Sequence, residues 1–290
     1  MFRTFCEKIN FPEDAIKYLE SLLPIINKNE KILEKITNAS NLISNKNHPD
    51  AQLVVKEIAT ELEISEYTIW VYVLVKSAIK AHELYKQKNI PDDIYYDNMK
   101  DITYKLIECK KVHNVWGIFV AHWYPGFFTC DRFCLGRLQF ERRLSPFDYK
   151  NYCKKDQLIY GCHIPSSGPL ILEDVIESLK KAYEFYNVKN GEYLILNCHS
   201  WLLYKPLVNL FKETSNVRKF YDLFDVVDKH ETKIESDGWR IFDTLNLSDL
   251  TALPEKTSLQ QNVKKYLLDG NALGAGNGML VFDGENIINK

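Results

Sequence analysis

Residues 157–198, QLIYGCHIPSSGPLILEDVIESLKKAYEFYNVKNGEYLILNC, decide the fold. The stretch opens on one short apolar run, QLIYGCHIP (157–165), and closes on another, YLILNC (193–198). Runs of this length, bounded by Gly, Pro, Ser and Asn, read as strands. Between them Leu172, Ile176, Leu179 and Tyr183 return every three or four residues, which predicts a helix over about 171–187. Two strands joined through a helix lie parallel in one sheet, with a right-handed crossover. The link Pro165-Ser166-Ser167-Gly168-Pro169 consists of small residues that let a ligand approach the backbone. The N–H groups of the helix start behind it can hold an anion such as phosphate. The same composition also makes an ordinary turn. Glu173 and Asp174 in the first helical turn either oppose an anion on the helix axis or face solvent as dipole partners.

Upstream, FCLGRLQFERRL (133–144) reads as a strand, and the Pro-, Asp- and Asn-bearing segment Ser145 to Asp156 reads as a turn. In LQFE, Leu138 and Phe140 alternate with Gln139 and Glu141, so the two polar residues share one face. That face is either solvated or lines an acceptor site. Downstream, Trp201 to Phe211 and Ser258 to Leu268 fit helices. FYDLFDVVD (220–228), WRIFD (239–243) and GMLVFD (278–283) fit strands, and Asn271 to Gly276 reads as a Gly-rich turn.

The first ~110 residues carry only the helical period. Pro12 with Glu13 and Asp14 opens one helix, and a second runs from about Asn29 to Ile43. Pro49-Asp50 opens a third, ending near Leu62, and Ser65 caps a fourth reaching about Lys88. Pro91-Asp92-Asp93 opens a fifth. The aromatic stretch NVWGIFVAHWYPGFF (114–128) fits a short buried helix ending before Pro125. Its rings serve as core, or, with Pro125-Gly126, as a lid or acceptor pocket. The expected fold class is α+β or α/β: a helical N-terminal domain over residues 1–125, then a mixed-sheet domain with packed helices over 126–290.

Composition narrows the partners. The 290 residues are 46% hydrophobic, which suffices for a substantial core, and 37 Lys and Arg against 39 Asp and Glu leave a net charge of −2. That balance argues against nucleic acid or an anionic membrane surface as the main partner. The longest apolar run, Ile69 to Val75, is too short to span a bilayer, and the N-terminus lacks the apolar core of a signal peptide. Seven scattered cysteines suggest reduced thiols in a cytoplasm. Nothing in the sequence sets an oligomeric state.

The segments LGRLQFE (135–141), HIPSSGPL (163–170), CHSWLL (198–203), SNV (215–217) with Phe220, and LPEKTSLQ (253–260) occur in that order. In them the chain resembles the bacterial acyltransferase-domain proteins that pair a helical N-terminal domain with a GNAT-like C-terminal domain, over roughly residues 50–282. The resemblance implies two parallel strands that splay apart to admit the pantetheine of acyl-coenzyme A. It places the pyrophosphate turn at Ser166, Ser167 and Gly168, with further cofactor contacts at Ile164 and Asn197. The usual Gln/Arg-x-x-Gly-x-Gly/Ala phosphate loop is absent from Pro165 to Leu172. The implied activity is acyl transfer from acyl-coenzyme A, as co-substrate, to an amine or similar small acceptor, with no metal. Bases implied for the attacking amine are His199, Glu141 and His163, and acids for the leaving thiolate are Tyr204 and Cys198.

Other chemistries fit these residues less well. Adjacent strand residues point to opposite faces, so Cys198 and His199 do not form a nucleophile–base pair. His199 is then the cleft group and Cys198 packs inward. The spacing of Cys130, Cys134, Cys153 and Cys162-His163 matches no usual zinc motif. VVKEIATELEISEYTIWVYVLVKS (54–77) has the outline of a helix-turn-helix, but its second helix is apolar nearly all round and belongs in a core. Competing classes are a binding or scaffold protein that kept the fold, and a Cys–His acyltransferase or hydrolase.

Overall fold

The structure, a computed structural model, describes residues 1–289. It divides into two compact units, Met1–Cys134 and the chain from Leu135 onward.

The first unit is helical. It comprises α1 (Phe2–Lys8), α2 (Glu13–Asn27), α3 (Glu30–Ser44), α4 (His48–Leu62), α5 (Glu66–Gln87) and α6 (Asp92–His113). Side-chain caps start three of them: Asn29 accepts from Ile32 N, Asn47 from Asp50 N and Ser65 from Tyr67 N. Each satisfies an N–H that the first helical turn leaves unpaired. In α5 every residue from Thr68 to Val75 is buried, which makes it the central helix and leaves no polar face to read base edges. The aromatic stretch does not form the expected helix. A 3-10 turn (Ala121–Trp123) precedes α7 (Pro125–Phe128), which starts at the proline instead of ending before it. Proline at a first helical position costs no hydrogen bond. Asn114 is left-handed at φ 57°, and Gly117 lies so close to Tyr67 that a Cβ would sit 2.5 Å from Tyr67 Cβ. Both break the helical path.

The second unit is built on the sheet. Its elements are β1 (Arg132–Leu135), which carries the unit boundary, β2 (Leu138–Leu144), β3 (Leu158–His163), α8 (Leu172–Phe185), β4 (Leu194–Ser200), α9 (Lys205–Val208), α10 (Asn216–Tyr221), β5 (Asp225–Glu231), α11 (Ile234–Phe242), α12 (Ser258–Leu268) and β6 (Gly274–Phe282). The sheet order is β1-β2-β3-β4-β6-β5. β3 and β4 are parallel, joined through α8 as the opening stretch predicts, and the β2–β3, β4–β6 and β5–β6 pairs are antiparallel.

Five sequence expectations change. FYDLFDVVD begins in α10 and becomes strand only from Asp225. The run 133–144 is two strands joined at Gly136, whose φ of +80° and approach to Ser178 suit only glycine. Trp201 to Phe211 is a 3-10 turn (Trp201–Leu203) and the four-residue α9. WRIFD lies in α11, where Trp239, Ile241 and Phe242 are buried and left-handed Asp243 ends the helix. The Gly-rich turn expected over Asn271 to Gly276 is strand from Gly274 onward. Gly274, Gly276 and Gly278 belong to β6 and face Tyr204 and Leu203 across the sheet surface. A Cβ at Gly276 would run into the Leu203 carbonyl. Glycine inside a strand marks such close backbone approach.

The two faces of the sheet differ. On one, Phe140, Tyr160, Cys162, Leu196, Cys198, Leu280 and Phe282 lie inward, with Tyr183 against Phe282 and Tyr186 against Tyr160. On the other, Ile159, Ile195, Met279 and Val281 pack with Tyr149 and Cys153, and the rest of the surface is polar.

Candidate active site

The polar face is organised by a parting of two strands. β3 and β4 are in register at Tyr160–Leu196 and Gly161–Asn197 and nowhere beyond. Both strands continue, β3 to His163 and β4 to Ser200. Each is then held by its outer neighbour, His163 opposite Gln139 of β2 and Ser200 opposite Gly276 of β6. The hydrogen-bonding edges at the parting are therefore turned toward each other without being paired, the backbone arrangement that an extended, amide-bearing ligand can enter.

Three registers set one row across this face: Glu141 opposite Gly161, Gly161 opposite Asn197, and Asn197 opposite Met279. Glu141 reaches diagonally to the next row, where its Oε1 lies 3.0 Å from His163 Nε2, and both side chains are 24% exposed. Diagonal neighbours on one sheet face are within reach of long side chains. Gly161 makes the crossing possible, since a Cβ there would stand 3.1 Å from both Glu141 Cγ and Arg143 Cδ. Asn197 is 1% exposed, and its Nδ2 donates to Gly278 O at 3.3 Å. Its Oδ1 is buried with no partner. A buried carbonyl without a donor costs about 1–3 kcal/mol and is an unusual feature unless a ligand satisfies it.

His199 is on the same face but beyond the parting. It is exposed, and its ring stacks on His230 of β5 at 5.3 Å between centroids and 13° between planes. Desolvation by this packing, and then the neighbouring His230, push its pKa below the ordinary imidazole value. Arg143 acts in the same direction, and Asp237 and Asp228 oppose it.

The turn after β3 has an unexpected partner. Arg137, from the β1–β2 corner, donates to three backbone carbonyls: Nε to Pro169 O at 2.9 Å, Nη1 to Pro165 O at 3.0 Å and Nη2 to Gly168 O at 2.6 Å. Gly168 has a φ of +112° and open space where a Cβ would be. Ile164 and Ser167 are half-buried beside it, and Ser166 is exposed. Glu173 and Asp174 are exposed on the first turn of α8.

The structure therefore brings together Glu141, His163, Asn197 and, at the rim, His199. It does not bring Cys198 or Tyr204 to them. Cys198 is 1% exposed on the opposite face, hydrogen-bonded to Cys162. That bond first, and desolvation second, raise the Cys162 thiol well above its ordinary pKa. Tyr204 is buried over Gly274 in an apolar cluster with Leu207, Ile241 and Phe242. Sequence reasoning missed Arg137, Gly161 and Arg143. The period-two pattern that pairs Gln139 with Glu141 extends to Arg143, and a glycine in mid-strand is a signal of its own. Among the described residues no group of three or more His, Cys, Asp and Glu side chains is placed to hold a metal ion.

Comparison with known proteins fits this architecture. Residues 2–130 match the N-acyltransferase N-terminal domain and residues 133–280 match the GNAT-like C-terminal domain. No curated protein matches the sequence. Among solved structures, an acyltransferase in complex with decanoyl-CoA and teicoplanin aligns at a TM-score of 0.77 and 19% identity, over 96% of this chain and 86% of that one. A mutant acyltransferase in complex with octanoyl-CoA aligns at 0.76 and 18% identity, with the same coverages. A further acyltransferase in complex with decanoyl-CoA aligns at 0.65 and 16%, over 96% of this chain and 98% of that one. At these identities the likeness is one of fold, and the two domain matches carry the family: the chain belongs to the N-acyltransferases whose helical N-terminal domain is followed by a GNAT-like C-terminal domain.

Proposed function

We propose that the protein moves an acyl group from acyl-coenzyme A to an amine on a small acceptor. The observation that carries this reading is the parting of β3 and β4 after Gly161 and Asn197, with the Glu141–His163 pair beside it. Acyl-coenzyme A would enter the parting along the unpaired strand edges, its pyrophosphate at the Ser166–Gly168 turn. The acceptor nitrogen attacks the thioester carbon, the new C–N bond forms, and the C–S bond breaks with its electron pair on sulfur. The Glu141–His163 pair takes the proton that the nitrogen loses and can return it to the departing thiolate. Help of this kind contributes about 10²–10⁴ in rate.

The fold supports this assignment, because acyltransferases solved with octanoyl-CoA and decanoyl-CoA share it. A covalent Cys198 route draws no support, since that thiol is buried away from the pair. Seven unbridged cysteines suit a reducing cytoplasm. Calorimetric titration with coenzyme A and octanoyl-CoA tests the reading, together with thiol release in the presence of primary amines. Binding is expected. Its absence at millimolar ligand would leave a binding protein that kept the fold and lost the reaction.

A further inference from the structure

Arg143 is a cation without an assigned task. It sits on β2 two residues beyond Glu141, on the same polar face. Among the described residues Arg3, Arg137, Arg218 and Arg240 bind carboxylates or carbonyls. Arg143 has neither a hydrogen bond nor an ion pair with any described residue, although it is only partly exposed. A half-buried guanidinium loses hydration and gains nothing in return unless an anion meets it. Its side chain runs from β2 toward β3. It leans over Gly161, where its Cδ and Glu141 Cγ would each be 3.1 Å from a Cβ, so the glycine leaves floor space for both.

We propose that Arg143 is the subsite for a carboxylate on the acyl acceptor, so that the acceptor is an amino carboxylate. This rests on the acyltransferase reading above and deepens it. An oxyanion at Arg143 could come from the acceptor or from a phosphate of coenzyme A, and strand geometry favours the acceptor. Arg143 is in register with Ile159, four residues before His163 and still farther from the Ser166–Gly168 turn. At about 3.3 Å per strand residue, the end of β3 is roughly 13 Å from that register position, longer than an arginine side chain reaches. The Glu141–His163 pair lies between. The side chain instead covers Gly161, two residues or roughly 7 Å from His163. A short amino carboxylate spans such a gap, with its acid on the guanidinium and its amine at His163. The guanidinium fork matches a carboxylate in two parallel hydrogen bonds.

The test is thiol release from octanoyl-CoA by the full-length protein with matched acceptors: glycine against glycinamide, and β-alanine against its amide. The wild type should favour each acid at least tenfold in kcat/KM. Arg143→Met should erase that preference, Arg143→Lys should restore part of it, and neither should change the affinity for octanoyl-CoA measured by calorimetry. An unchanged or higher Tm for Arg143→Met would confirm that the folded chain lost no internal partner. Equal use of acid and amide by the wild type would overturn the proposal. A weaker octanoyl-CoA affinity in Arg143→Met would overturn it too, in favour of a phosphate. Octanoyl-CoA binding with no turnover of any of these acceptors would count against the amino carboxylate alone, whereas loss of octanoyl-CoA binding by the wild type would sink the acyltransferase reading itself.

Discussion

His163 and His199 stand on one face of the sheet, on the two sides of the parting between β3 and β4, and have opposite neighbours. His163 meets a carboxylate, Glu141 Oε1, at 3.0 Å. His199 meets another imidazole, His230, in a stack at 5.3 Å. A carboxylate can accept an imidazole N–H and fix the ring's orientation, whereas a second histidine opposes protonation of the ring it stacks on. Sequence alone favours His199 as the cleft group and keeps His163 as a further candidate base, although each follows a cysteine near a strand end. Their partners come from β2 and β5, and the partners separate the roles: His163 suits a proton acceptor, and His199 suits a neutral group at the rim.

The largest effect that would break this comparison is on kcat. Glu141→Gln keeps the shape of the side chain and removes its charge. If the pair is the base, kcat falls by about 10²–10⁴ while octanoyl-CoA affinity holds. His163→Gln should lose a similar factor, and the double variant little more than either, because the two act as a unit. His199→Asn should cost less than about tenfold in the same assay, below the usual range for a lost general base. Equal losses at the two histidines would erase the distinction.

A smaller effect sharpens the geometry. Gly161→Val places branched carbon where Glu141 Cγ and Arg143 Cδ already lie at 3.1 Å from a Cβ. Overpacking of this kind costs about 1–3 kcal/mol, read as a fall in denaturant midpoint, and displacing Glu141 should lower kcat with it. A stable Gly161→Val with full kcat would show that the floor of the row is not needed. Gly168→Val meets no neighbouring atom. It forces a side chain to a φ of +112° at a site open to solvent, so the cost is backbone strain of order 1–3 kcal/mol, and KM for octanoyl-CoA should rise with kcat kept.

Much of this architecture is legible in the sequence because it rests on local chemistry. The caps at Asn29 and Ser65, the prolines before Glu13 and Asp92, and the crossover from 157 to 198 are short-range signals. The failures have a common cause in tertiary contact. WRIFD places three apolar side chains in four residues, which suits a strand or a helix. The helix prevails because Gly238 packs against Ile234 one turn back and against Leu247. The glycines of β6 look like a turn until the 201–204 segment lies on them. In the site, Glu141 was legible as a polar residue on the period-two face it shares with Gln139, and His163 as a polar residue near a strand end. Their pairing was not, because it depends on the β2–β3 register. Arg137 was invisible for the same reason, since its three carbonyl partners lie 28 to 32 residues away.

The smallest effect concerns pH and separates the histidines without an activity assay. His199 has a pKa below the ordinary value, through desolvation first and His230 second. The folded chain therefore holds its neutral form, while the unfolded chain binds a proton near the ordinary value of about 6.5. Stability from this group is complete above that pH and is lost as pH falls through the folded value. His199→Asn should flatten the fall in Tm between about pH 7 and pH 5. The slope should not vanish, since burial and His122 lower His48 in the helical unit and leave that residue its own share. His230→Asn should flatten the curve partly, because it removes the second cause and leaves the first. Identical slopes in all three proteins would mean that His199 does not titrate against folding, and its contrast with His163 would rest on position and neighbours alone.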